Sequence, residues 1–443
     1  FYGWWDWRYL FLIAACTAVN YWAAFFVMPG SASPMIRRIV LILASSSCLI
    51  VLGLFKYYNF FIDNLVSSFS LVGITLNLGT LRLILPVGIS FFTFQALSYT
   101  IDVYQGKLKP EKNWVAFFTF ISFFPQLVAG PIERATNLLP QFQKQRHFIF
   151  DNAFHGITLI AYGLFKKIVV ADNLALYVND AFGNYHLYNN SVTAFLGMIF
   201  FSFQIYCDFS GYSDVARGVA KLFGFELMVN FDRPYLAQNI SDFWRHWHIS
   251  LSTWFKDYMY IPLGGSRGSS WNWLRNIWIV FLVSGLWHGA NWTFIVWGAL
   301  HAFYQTVGWF KQRLIGNAGQ EYIKQCSPIV RQIVTLNNII VVNVLVCFAW
   351  VFFRASNCTE ACNYIKMILS FKPATNLASL STGQGPMHLA LCLSVIGVLL
   401  LTYCFPRDLK MGPKTSFSFI TIMIGVILFL GRSGQAEFIY FQF

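Results

Sequence analysis

The chain has 443 residues, of which 57% are hydrophobic, 19% aromatic and only 11% charged, a balance that excludes an ordinary soluble domain. Its 31 Lys+Arg against 18 Asp+Glu give a formal charge of +13. The basic residues cluster in loops between apolar runs, so the positive-inside rule accounts for them, and no aromatic-basic platform or groove-reading motif points to nucleic acid.

In chain order, apolar runs lie near 9–29, 39–62, 82–104, 113–130, 150–172, 191–207, 271–287, 291–310, 334–353, 387–405 and 416–432. Spans of about 20 apolar residues are what a helix needs to cross a bilayer. They predict an all-α, polytopic helical membrane protein of ten or eleven spans, in one integrated domain over 1–443. Membrane lipid is therefore an expected partner. The nine cysteines are scattered, mostly within or beside spans, and read as buried small hydrophobes. No metal-site spacing is visible, so no metal is expected. No internal repeat or low-complexity linker divides the chain, which weighs against a transporter built from two related halves.

Loop charge gives the topology. The 208–275 segment carries Arg217, Lys221, Arg233, Arg245, Lys256, Arg267 and Arg275 and is expected inside. Lys311, Arg313, Lys324 and Arg331 place the next long loop inside, as do Arg407, Lys410 and Lys414 before the last span. The 173–190 loop has no Lys or Arg and is expected outside, and so is the tail over 431–443. In the N-terminal half, strict alternation from Arg37 and Arg38 gives the wrong parity at 173–190. One segment between 82 and 172 is therefore expected to be re-entrant or broken, with Pro86, Gly88, Pro125, Gly130 and Pro131 as breakers.

Polar chemistry crowds into aromatic surroundings in two places. Between Ser241 and Tyr258, a helical period puts Trp244, Trp247, Leu251, Trp254 and Tyr258 on one face, and Ser241, Arg245, His248, Ser252 and Lys256 on another. This predicts an amphipathic helix, for which an interfacial helix resting its tryptophans on lipid is the plain alternative. The second place is the run from Asn276 to Phe310, which has no Asp, Glu, Lys or Arg and contains Leu286-Trp287-His288-Gly289-Ala290-Asn291. His288 lies about 12 residues past Arg275, roughly 18 Å of helix and deep in a hydrocarbon core about 30 Å thick. An ionisable group at that depth reads as a functional site or a cavity lining, and a buried histidine bonded to a backbone carbonyl is the alternative. Gly285 and Gly289 allow two helices to meet there.

These residues resemble a known family. Asp208-Phe209-Ser210-Gly211-Tyr212-Ser213-Asp214, Asn230-Phe231-Asp232-Arg233-Pro234-Tyr235, Trp247-His248-Ile249-Ser250-Leu251-Ser252-Thr253-Trp254 and Leu286-Trp287-His288-Gly289 look like membrane-bound O-acyltransferases. Leu85-Pro86-Val87-Gly88, Ala129-Gly130-Pro131-Ile132 and the terminal Phe438-Ile439-Tyr440-Phe441-Gln442-Phe443 fit the branch that contains the alginate O-acetylation membrane protein. The resemblance implies an apolar segment ahead of Phe1. It also implies helices around a central tunnel in a bacterial cytoplasmic (inner) membrane, with catalysis centred on residues 231–310. His288 matches the catalytic histidine, and His248 matches the upstream polar position.

The implied reaction moves an acetyl group from a cytoplasmic thioester, acetyl-CoA or another acyl thioester, towards an extracytoplasmic glycan. No bound cofactor is expected, and a soluble extracytoplasmic O-acetyltransferase of the SGNH type is the expected partner. His288, kept neutral by burial, suits a general base. Asn291 is a candidate to orient that ring or donate to an oxyanion, with a satisfied turn residue as the alternative. Arg245 and Lys256 are candidates to attract the donor's phosphates. Tyr440 is a candidate acyl relay, with an aromatic anchor at the interface as the alternative. Acetylation of peptidoglycan, transport without chemistry and a scaffold for a secreted acetyltransferase remain the other readings.

Overall fold

A computed structural model describes residues 2–81, 83–188, 190–375, 380–432 and 438–439. Every regular element among them is helical, as the composition predicts. Seven of the described helices are long and apolar enough to cross a membrane. The chain forms two compact units, residues 1–149 with 219–228, and residues 150–218 with 229–443.

In the first unit, α1 (Arg8–Val27) and α2 (Pro34–Lys56) are the long apolar helices. Ser33 caps α2 and Pro34 starts it, the pairing that leaves fewest orphan amides at a helix N-terminus. A second helix starts at Tyr58, so the predicted 39–62 run is divided. The predicted 82–104 span is shortened: α3 (Ile89–Tyr104) begins only after Gly88, whose φ of 74° suits glycine. The 113–130 run is broken, since α4 (Trp114–Ser122) stops at Phe123 and only a four-residue turn follows around Pro125. Asn20 joins three helices by donating to Cys48 Sγ at 3.1 Å and accepting from Thr100 Oγ1 at 2.6 Å.

The second unit is built on two long helices that the sequence reading cut short. α5 (Phe150–Leu164) runs through a π-helical stretch, Phe165–Ala171, into α6 (Asp172–Gly183), so the expected 173–190 loop is largely helix. α7 spans Ser191–Leu222 rather than 191–207, because no residue in its second half breaks it and Asp208, Asp214 and Arg217 find partners. Glycines let α5 and α7 touch backbone to backbone. A Cβ on Gly163 would lie 2.5 Å from Gly211 O, and one on Gly218 would lie 2.5 Å from Gly156 O.

The predicted amphipathic helix is two. α8 (Ile240–His246) ends where Trp247 turns extended, and α9 (Ile249–Phe255) begins after His248 takes a left-handed conformation with φ 41°. The shared polar face read across residues 241–256 therefore does not exist. α10 (Ser270–His288) and α11 (Trp292–Gln325) follow, then α12 (Pro328–Arg354), α13 (Cys358–Leu369), α14 (Pro386–Leu401) and α15 (Pro413–Leu430).

Candidate active site

His288 is the last residue of α10, and α11 starts four residues later. The two helices cross at glycine. A Cβ on Gly298 would meet Phe281 O and sit 3.5 Å from the Cα of Gly285, while one on Gly285 would strike Phe294 O. Only bare backbone permits that approach, and it fixes the histidine against α11. The imidazole is buried and meets Trp287 at 4.9 Å, Trp297 at 5.0 Å and Phe353 of α12 at 5.2 Å between ring centroids.

His248 neighbours the same indole: its ring is 6.0 Å from Trp287 and edge-on to Phe209 at 4.7 Å. A non-glycine residue at positive φ costs about 1–2 kcal/mol, strain that concentrates at functional sites. Asn230 holds the turn. Its Oδ1 takes Ser250 Oγ at 2.9 Å and Ser250 N at 3.3 Å, and His248 Nδ1 lies 3.0 Å away. The Ser250 amide identifies that atom as the oxygen, so His248 donates from Nδ1 and its Nε2 is the basic nitrogen. His248 lies outside the seven long apolar helices, and burial lowers its pKa to about 3. The ring is neutral at physiological pH.

A third histidine was not singled out from the sequence. His301 on α11 is fully buried, 4.9 Å from Trp297, and accepts from Trp244 Nε1 at 3.3 Å through Nδ1. His248, Trp287, His288, Trp297 and His301 thus form an alternating row of imidazoles and indoles. The missed signal was the same charge-free run that exposed His288, since His301 also falls within it.

Residues 112–351 match the membrane-bound O-acyltransferase family, more than half of the chain and including all three histidines. The chain belongs to that family. It is 39% identical to the probable alginate O-acetylase AlgI of Pseudomonas aeruginosa, over 84% of this chain and 68% of that protein. Identity to the AlgI of Pseudomonas putida is 35% over 100% of this chain and 92% of that protein. Identity to the peptidoglycan O-acetyltransferase of Helicobacter pylori is 32% over 100% and 89%. The protein is thus an O-acyltransferase and a multi-pass membrane protein.

The other predicted residues of this O-acyltransferase are placed as follows. Asn291 caps α11 by accepting from Thr293 N at 3.1 Å and donates to Ser356 O at 2.8 Å. Both ends of its amide are spent on backbone, the turn role weighed as its alternative. Arg245 and Lys256 are exposed, with Lys256 Nζ 3.8 Å from Asp257, whereas His248 is buried. Tyr440 lies outside the described residues, but Phe438 and Ile439 just before it are buried.

A cavity of about 250 Å³ lies among α5, α7 and the segment after α14, lined by Lys166, Arg217, Arg233, Arg407, Phe231 and Ile249 among others. Its cations are set by pairing: Lys166 and Arg217 share Asp214 at 2.5 and 3.2 Å, and Arg407 meets Asp232 at 3.0 Å. Ile249 is the chain neighbour of His248, and Phe231 packs 6.2 Å from its ring.

Proposed function

We propose that this O-acyltransferase passes an acetyl group from a cytoplasmic thioester across the membrane for O-acetylation of an extracytoplasmic polysaccharide, with His288 as general base. The observation that carries the reading is the buried imidazole at the C-terminus of α10, fixed by Trp287, Trp297 and Phe353. His288 takes the proton of an acceptor hydroxyl as that oxygen attacks the thioester carbonyl. The C–S bond breaks, and the imidazolium returns the proton to the leaving thiolate. General-base catalysis of this kind is worth about 10²–10⁴-fold. The negative end of the α10 helix dipole, where His288 sits, favours the imidazolium as it forms.

His248, the other imidazole beside Trp287, positions the thioester. The donor approaches through the cavity beside Phe231 and Ile249, where Arg233, Arg407 and Arg217 give its phosphates a more direct site than Arg245 and Lys256. Tyr440 accepts the acyl group before a soluble partner enzyme of the SGNH type completes transfer. Alginate-like exopolysaccharide is the acceptor favoured by the similarity to the two AlgI proteins. Peptidoglycan is the second reading, favoured by the full-length similarity to the Helicobacter pylori enzyme.

Inverted inner-membrane vesicles from a strain carrying the protein test the direction of transfer. Radiolabelled acetyl-CoA supplied outside should leave labelled acetyl esters on glycan or protein inside the vesicle. Label that stays on the outer face contradicts transfer across the membrane. Hydrolysing the labelled material separately from exopolysaccharide and from peptidoglycan tells the two acceptors apart.

A further inference from the structure

We infer that Asp208, held by Lys167, is a positioning residue that docks the Phe438–Ile439 segment beside the histidine row. The inference rests on the acyltransfer reading above for its effect on activity, but not for the docking itself. Asp208 lies at the middle of α7 and is buried. Within a helix the neighbouring backbone amides are already paired, so a buried carboxylate must find donors elsewhere. It finds two. Lys167 Nζ lies 2.6 Å from Oδ1, and the backbone amide of Ile439 donates to Oδ2 at 2.7 Å.

Lys167 comes from the π-helical stretch between α5 and α6, the kind of helix irregularity that collects at functional sites. The same ammonium lies 2.9 Å from Asp172, so one cation stands between two carboxylates and its position is fixed from both sides. Gly211 brings α7 to this stretch, since a Cβ there would lie 3.1 Å from Lys167 N. The π-helical stretch also holds the start of the tail. Arg432 N donates to Ile168 O at 3.2 Å, and Asn173 Nδ2 donates to Leu430 O at 2.9 Å. The chain is therefore anchored as it leaves α15 and again at Ile439.

The second anchor reaches the site. Phe438 packs against Phe209 at 5.9 Å and Tyr212 at 5.3 Å, and Phe209 is edge-on to His248 at 4.7 Å. A hydrogen bond from a backbone amide fixes the register of a segment whatever its side chains are. Asp208 thus sets which residue of the terminal sequence stands one ring away from His248.

Ile439→Pro is the sharpest test, because it deletes the donated N–H and leaves Asp208 and Lys167 in place. Asp208→Asn is the companion, removing the charge at nearly constant shape. Both full-length proteins, in native membranes, are treated with carboxypeptidase, and intact mass reports trimming of the C-terminus. Glycan acetylation is read in parallel at matched protein level and matched thermal midpoint. The expected result is trimming at least tenfold faster and acetylation at least tenfold lower in each variant, with no further loss in the double variant. Wild-type trimming in Ile439→Pro overturns the docking. Faster trimming with full acetylation, in a strain where His288→Ala abolishes acetylation, overturns the positioning role. Full acetylation in His288→Ala instead contradicts the proposed function and leaves the docking standing on the trimming result.

Discussion

The rings of His288 and Trp297 meet edge to face, 5.0 Å apart at 86°, and the same indole stacks on Trp350 at 5.7 Å. Trp297 is fully buried and also touches His301, so it is the side chain through which α11 sets the candidate base. Trp297→Ala should cost about 3–5 kcal/mol of stability through the cavity it leaves. Trp297→Phe should keep most of the fold and still lower acetylation roughly tenfold, because the ring that holds His288 shrinks. Thermal unfolding in detergent and glycan acetyl content separate the two effects.

The glycine crossing of α10 and α11 admits no side chain, since substituents at Gly285 and Gly298 would run into Phe294 O and Phe281 O. Backbone cannot swing aside as a rotamer can. Gly298→Val should therefore destabilise by more than the roughly 1–3 kcal/mol typical of overpacking. The expected observation is a sharp fall in membrane level or thermal midpoint. By contrast Gly308→Ala on the same helix, where a Cβ meets nothing within 4 Å, should be silent.

His248 makes the fold sensitive to acid. Its folded pKa is about 3, below the usual 6.5, so between those values the unfolded chain binds the extra proton. Stability from this group is complete above about pH 6.5 and falls by roughly 1.4 kcal/mol per pH unit as pH drops towards 3. His248→Gln should flatten that slope, measured as the thermal midpoint at pH 7 minus that at pH 5. An unchanged difference would contradict the buried, neutral assignment.

Arg407 lies on the rim of the cavity, half committed to Asp232. Arg407→Glu should raise the KM for the thioester donor several-fold while leaving kcat within about twofold, since a charge remote from the reacting carbonyl acts on binding. Lys256→Glu should change neither. The opposite ranking would return the donor site to the exposed helix.

The fold class and the burial of His288 were legible in the sequence because both are written in composition: long uncharged runs, and a histidine inside one of them. Helix ends were less legible. Asp208, Asp214 and Arg217 look like the start of a loop, yet they continue α7, because Lys166, Lys167 and Ile439 supply partners for the two carboxylates from elsewhere in the chain and Arg217 pairs with Asp214 one turn back. The break at His248 was invisible for a related reason. A helical period fits residues 241–258 well, and bonds from the 230–232 segment to His246, His248, Ile249 and Ser250 divide them. His301 was within sight and was passed over, because no motif surrounds it.

The most direct measurement is the ester-linked acetyl of cell-surface glycan in a deletion strain complemented with wild type or with His288→Ala, at equal membrane levels. The account predicts wild-type acetylation from the first and a loss of at least 10²-fold from the second. Full acetylation with His288→Ala would contradict catalysis through this histidine.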